Sequence, residues 1–286
     1  MSLTPTNGRK PFRFVEPSAL PGFGAAFGFT LVYLSFFVLI PLAALALKPW
    51  ESGWGLFVDI VTRPRTLAAL RLSFGAALIA ALVNAVFGTI AAWVLVRYDF
   101  PGRRLLDAFV DLPFALPTAV AGIALAAIYA PNGVVGSLFA PFHISIAYTP
   151  LGVMIALIFV GFPFIVRSVQ PVLEDLEVEI EEAAATLGAS RWRTITQVVA
   201  PVILPALLAG FSLSFARAVG EYGSVIFIAG NIPMVSEIAP LLIVIQLEEF
   251  DYAGAAAVGL IMLTLSFVML LILNLLQGRI ARRGRR

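Results

Sequence analysis

The sequence predicts an all-α polytopic membrane protein with six transmembrane helices. Three observations carry that expectation. Only 13% of the 286 residues are charged and 60% are hydrophobic, where a soluble domain is about one-quarter charged. The mean hydropathy is +0.97. Charge-free runs recur along the chain, and each is long enough for the roughly 20 apolar residues that cross hydrocarbon as a helix.

The first span is expected at about 23–47, inside the uncharged run from Pro17 to Leu47, and a short segment, 1–22, precedes it. Arg9, Lys10 and Arg13 stand before this run as they would before a secretory signal. The run is longer than the ~7–15 apolar residues of a signal, so it reads as a retained helix. The second span is expected at 72–96. Leu112 to Val166 carries no charge and is too long for one helix. Pro131-Asn132-Gly133 and Tyr148-Thr149-Pro150 punctuate it. Two spans are expected there, at 112–130 and 150–167, joined by a loop that holds His143. The fifth runs over 201–229, interrupted by Arg217 and Glu221, and the sixth over 253–277. Spans two to six make a core over 66–277, and 278–286 is a basic tail.

Arg9, Lys10, Arg13, Arg97, Arg103, Arg104, Arg167, Arg191, Arg193, Arg279, Arg282, Arg283, Arg285 and Arg286 fall on one side of this topology. Lys48, Arg63, Arg65 and Arg71 fall on the other. Basic residues collect in cytoplasmic loops. Both termini and the 170–200 loop are therefore expected in the cytoplasm, with 131–149 and the acidic loop 230–252 outside. The basic tail reads as an anchor on anionic lipid. Basic residues so placed do not describe a nucleic-acid surface, although the isoelectric point is about 9.1.

Several chemistries are excluded. There is no cysteine and one histidine, so neither a thiolate metal site nor a histidine cluster can form. No G-x-x-x-x-G-K-[ST] loop is present, so the chain does not hold a nucleotide in that way. It is expected not to be an enzyme and to bind no cofactor of its own.

The stretch from Gln170 to Val199 is too charged for hydrocarbon. Leu173, Leu176, Ile180, Ala183, Ala184 and Leu187 recur at steps of three and four, an apolar stripe on a helix expected to start near Pro171. Glu174, Asp175, Glu177, Glu179, Glu181 and Glu182 cover the other faces. Gly188 can take the left-handed conformation that stops a helix. Ser190 can cap a second short helix bearing Trp192, whose Arg191 and Arg193 would answer the acidic helix. The product is a rigid elbow. The small alanines let another surface approach it closely.

Glu182-Ala183-Ala184, Gly188 and Pro201 stand in the register of the EAA loop of ABC importer membrane subunits, with Val198 and Ala200 in place of the usual Ile and Leu. Further runs narrow the resemblance. These are Arg97-Tyr98-Asp99-Phe100-Pro101-Gly102-Arg103, the run Asp111-Leu112-Pro113-Phe114-Ala115-Leu116-Pro117-Thr118-Ala119-Val120-Ala121-Gly122, and Gly220-Glu221-Tyr222-Gly223. Over about residues 20–280 the chain resembles the T-type (also called U-type) permease subunits of bacterial sulfate/thiosulfate ABC importers. The Gly-Glu-aromatic-Gly run is shared with molybdate and tungstate permeases, which stay open as an alternative.

The resemblance implies a type I ABC importer permease fold in the bacterial inner membrane. It implies a W-type permease partner, two ATPase subunits that carry ATP-Mg, and a periplasmic sulfate/thiosulfate-binding protein. It also implies that Glu181, Glu182, Ala183, Ala184, Leu187, Gly188, Arg191 and Trp192 couple the spans to an ATPase. Arg217 and Glu221, four apart on one face of the expected helix, either line the translocation path or lock the fifth span against its neighbours. An ion pair offsets part of the cost of charge in the bilayer. Because the pair is neutral overall, sulfate is expected to meet hydroxyls, amides and backbone N–H groups, with Thr118, Ser224 and Asn231 as candidates. Pro113 and Pro117 are expected to bend the third span. Asn84 and Asn274 are expected to make helix–helix hydrogen bonds. Gly24 and Gly28 form a G-x-x-x-G pair near the start of the first span. An ion-coupled secondary transporter working alone is the competing function, and it has no need of the elbow.

Overall fold

The computed structural model describes residues 22–283; almost all of the expected N-terminal segment and the last three residues of the tail lie outside it. Among the described residues every regular element is a helix. The chain divides into two units, one ending at Ala46 and one beginning at Leu47.

The first unit is described from Gly22 and consists of most of α1 (Phe23–Glu51). This helix is apolar on all sides, and none of its apolar window is buried within the chain, which suits a surface that lipid or another chain covers. A π turn at Ser35–Leu39 interrupts it just before Pro41. Proline lacks the N–H that would bond the carbonyl four residues back, and its ring crowds that carbonyl. The wider turn absorbs the crowding. Among the described residues nothing lies within 4 Å of a Cβ placed at Gly24 or Gly28.

The second unit begins with α2 (Trp54–Thr62) and α3 (Pro64–Arg97). There follow α4 (Arg103–Val110), α5 (Leu112–Ala115), α6 (Thr118–Tyr129) and α7 (Gly136–Phe139). α8 (Pro150–Asp175) is succeeded by the short α9 (Val178–Thr186) and by α10 (Arg191–Val219). The chain closes with α11 (Val225–Ile228), α12 (Ala239–Glu248) and α13 (Tyr252–Arg283).

The core of this unit lies where α3, α8 and α10 pack together. Small residues make the approach close. Ala76, Ala77, Ala80, Ala81 and Ala92 of α3 are each at most 3% exposed, and a methyl added at Gly88 would come within 2.8 Å of the Ile165 side chain. Helices in lipid gain little from apolar burial against one another, so contact area between close backbones does the holding. A second cluster joins Ile60 of α2 and Ala69 and Leu70 of α3 to Ala239, Leu242, Ala257 and Val258 of α12 and α13.

Among the described residues five helices, α1, α3, α8, α10 and α13, are long and apolar enough on their own to cross a bilayer, and α6 and α12 are shorter apolar helices. Four expectations are corrected. The run expected to span 112–130 breaks at Leu116, which is extended (φ −86°, ψ 136°) before Pro117, and α6 has only 12 residues; a residue before proline is pushed out of the helical region. The second span begins at Pro64, not near 72, with proline in the first helical turn. The fifth stops at Val219, and 220–224 is unwound before α11. The expected acidic loop 230–252 contains α12, whose Ala239, Leu241, Leu242 and Gln246 are buried.

Candidate functional site

α8 ends at Asp175, and Leu176 (φ −80°, ψ 109°) and Glu177 (φ −58°, ψ 130°) are both extended. The expectation of one amphipathic helix from Pro171 is corrected here: Pro171 lies inside α8. Leu173 and Leu176 are buried, whereas Ile180 is 44% and Leu187 88% exposed. The apolar stripe is thus divided between a span and a free helix by the extended pair.

α9 ends in a Schellman arrangement. The Ala189 N–H donates to the Ala184 carbonyl at 3.0 Å and the Gly188 N–H to Ala185 at 2.9 Å. Gly188 has φ +81°, a conformation that costs a residue with a Cβ. Ser190 then caps the next helix, its Oγ accepting from the Arg193 N–H at 3.3 Å. Contrary to expectation that helix is not a separate short piece; it runs on as α10, through a π turn at Ile195–Val199 just before Pro201.

Glu182, Ala183, Leu187, Gly188, Arg191 and Trp192 form an exposed crest, with Trp192 75% exposed. Ala184 is half-buried. Glu181 turns inward and pairs with Arg97 at the end of α3, 2.7 Å away. Among the described residues Arg191 and Arg193 make no ion pair with the acidic helix; its tie runs to Arg97 instead.

The second candidate region lies at the unwound end of α10. Arg217 pairs with Glu221, but Glu221 lies past the helix end, so the two do not share a helix face as expected. Glu221 is 2% exposed. Its Oε1 accepts from both the N–H and the hydroxyl of Ser224 at 2.9 Å, which satisfies the start of α11. α6 lies against this segment backbone to backbone. A methyl at Gly122 would overlap the Ser224 carbonyl, and one at Gly223 the Thr118 hydroxyl. Thr118, Arg217, Glu221 and Ser224 are therefore brought to one place. Asn231 is not; it sits exposed in the left-handed turn Gly230–Asn231, where Gly230 packs on Tyr148.

Asn84 makes the expected interhelical contact, donating to the Ile158 carbonyl at 3.0 Å and to Ser214 at 3.4 Å. Asn274 does not. It is exposed, and Gln277 instead donates to Ser212 at 3.0 Å. His143 is a loop residue in the left-handed region. Three arginines make long-range ion pairs that the sequence does not announce: Arg65 with Glu237, Arg97 with Glu181, and Arg167 with both Asp107 and Asp111. For Arg167 the available signal is Asp107 and Asp111, one helical turn apart in the preceding connection.

Residues 84–283 match the family described as binding-protein-dependent transport system inner membrane component. The chain is 47% identical over 264 residues to the sulfate transport system permease protein CysT of Escherichia coli, covering 92% of this chain and 95% of that one. It is 51% identical over 250 residues to the CysT protein of Synechococcus elongatus, covering 87% and 90%. The fold is similar to a crystal structure of a bacterial ABC transporter involved in the import of alginate, with TM-score 0.74, 16% identity, and 90% and 95% of the two chains covered. It is equally similar, at 18% identity, to the alginate transporter in complex with an alginate pentasaccharide-bound periplasmic protein, with TM-score 0.74 and coverage of 90% and 94%. The type I ABC importer permease fold expected from the elbow and its neighbouring runs is the fold found, and the chain belongs to the family of binding-protein-dependent transport system inner membrane components.

Proposed function

We propose that this chain is the T-type permease subunit of an ATP-driven sulfate/thiosulfate importer of the bacterial inner membrane, with both termini in the cytoplasm. It forms half of a translocation pathway, paired with a W-type permease. Two ATPase subunits carry ATP-Mg, and a periplasmic binding protein delivers the anion. The sulfate permeases that share about half of its residues along nearly its whole length favour sulfate over molybdate.

The observation that carries the coupling role is the crest at Glu182–Trp192. It joins two spans, is stiffened by its own caps, and offers a bulky indole and a leucine to solvent. A hydrocarbon-spanning chain gains nothing from leaving these groups wet unless a partner covers them. Binding of ATP biases the two states of the pathway only through a difference in contact with them, and the crest is the place where that difference is made. At the unwound end of α10, Arg217 and Glu221 cancel in charge and Glu221 takes both donors of Ser224, so this segment shapes the broken span beside the pathway and sets no strong field on a dianion that must also depart.

The test is uptake by the reconstituted complex. Glu182→Lys and Gly188→Val are expected to leave the permease inserted while ATP hydrolysis and sulfate uptake part company. Sulfate accumulation by this chain alone in liposomes would instead favour a secondary transporter. Competition among sulfate, thiosulfate and molybdate in the same vesicles reads the substrate.

A further inference from the structure

Arg97 holds both sides of the joint at which the elbow meets α8. Its Nε and Nη2 donate to Glu181 Oε1 of α9, at 3.0 and 2.7 Å. The same Nη2 donates to the carbonyl of Leu176 at 3.0 Å, which is the group that α8 leaves free where it stops. Trp93, one turn back on α3, holds the guanidinium against its ring face, 5.6 Å from the ring centre. The two side chains are 12% and 19% exposed, so this pair is far less wet than the other charges of the loop. Among the described residues no other side-chain hydrogen bond or ion pair joins 178–187 to a span.

The joint itself consists of two extended residues, Leu176 and Glu177. Without a brace, a force on α9 would pivot there and be lost. With Arg97 in place, the end of α8, the exposed helix and the end of α3 move together. We infer that Arg97 is a positioning residue for energy coupling: it converts a push on the elbow into movement of the α3 span, a second mechanical route beside the covalent one through α10. Arg97 touches neither anion nor nucleotide. The inference rests on the proposed importer function.

The experiment uses the whole reconstituted complex with four permeases: wild type, Arg97→Gln, Arg97→Lys, and Arg97→Glu combined with Glu181→Arg. Co-purified ATPase is measured beside sulfate moved per ATP hydrolysed. Arg97→Gln is expected to hold its ATPase partner yet move about tenfold less sulfate per ATP, within the range of ordinary coupling energies. Lysine, which can pair but cannot fork, should restore part, and the charge swap should restore most. Unchanged sulfate per ATP in Arg97→Gln overturns the inference. So does a loss of uptake that matches loss of bound ATPase, or a swap that restores nothing. If Arg97→Gln fails to insert, Glu181→Gln must show the same fall in sulfate per ATP. A wild-type complex without ATP-dependent uptake would sink the importer reading itself, which separates that failure from this one.

Discussion

The elbow and the unwound end of α10 use polar residues in opposite ways. At the elbow, the side chains of Glu182, Arg191 and Trp192 stand in solvent and, among the described residues, make no hydrogen bond or ion pair. At 217–224 the charged groups are matched at once: Arg217 by Glu221, and Glu221 by Ser224 twice. The first region has its chemistry free for another molecule. The second uses its chemistry to hold an interrupted, buried backbone, where an unpaired polar group is costly. Charge by itself does not mark a site; charge whose partner is missing from the chain does.

Four substitutions test that contrast. Glu221→Ala should have the greatest effect on stability, because Arg217 and the Ser224 N–H lose their partner together. About 3 kcal/mol is expected, the lower end for a broken buried pair since Arg217 is one-third exposed. A lowered unfolding temperature in detergent would register it, and Glu221→Gln, which keeps the acceptor, should lose less. Gly122→Ala comes next. Its methyl meets Ser224 backbone rather than a movable side chain, and overpacking of this kind costs roughly 1–3 kcal/mol. Gly188→Ala meets nothing within 4 Å and pays only for its positive φ, about 1 kcal/mol. Its unfolding temperature should barely move while coupling suffers. Trp192→Ala should change stability by no more than ~0.5 kcal/mol, as exposed sites do. It should still weaken ATPase binding about tenfold or more, as loss of an interface anchor does, readable by titration of the ATPase onto permease in nanodiscs. If Trp192→Ala unfolds the permease, or Glu221→Ala leaves it as stable as before, the contrast fails.

What could be read from the sequence followed from local rules. The elbow's stop at Gly188 and start at Ser190 are one-residue chemistry, and both stand where expected. Long apolar runs located five of the spans. Hydropathy does not register continuity, so 112–130 looked like a span although Pro117 breaks it. It also misses α12, because Glu237 before that helix and Glu248 and Glu249 at its end give the interval a charged look, while Glu237 is in fact buried against Arg65. Arginines 65, 97 and 167 were weighed as orientation signals. Their partners lie between 56 and 172 residues away, a separation that no periodicity reports.

The π turns at 35–39 and 195–199 carry a last consequence. Each ends two residues before a proline, Pro41 or Pro201, and each fits one more residue into its turn than a regular helix holds. One residue is about 100° of rotation. Everything in α10 beyond Pro201 is therefore clocked away from the azimuth that counting from Trp192 would give. The proline, rather than the elbow, decides which side of that span looks inward at Ser214 and Phe215. Replacing Pro201 with alanine and deleting one residue from 195–199 would rewind the helix and keep that azimuth, whereas either change by itself would swing it round.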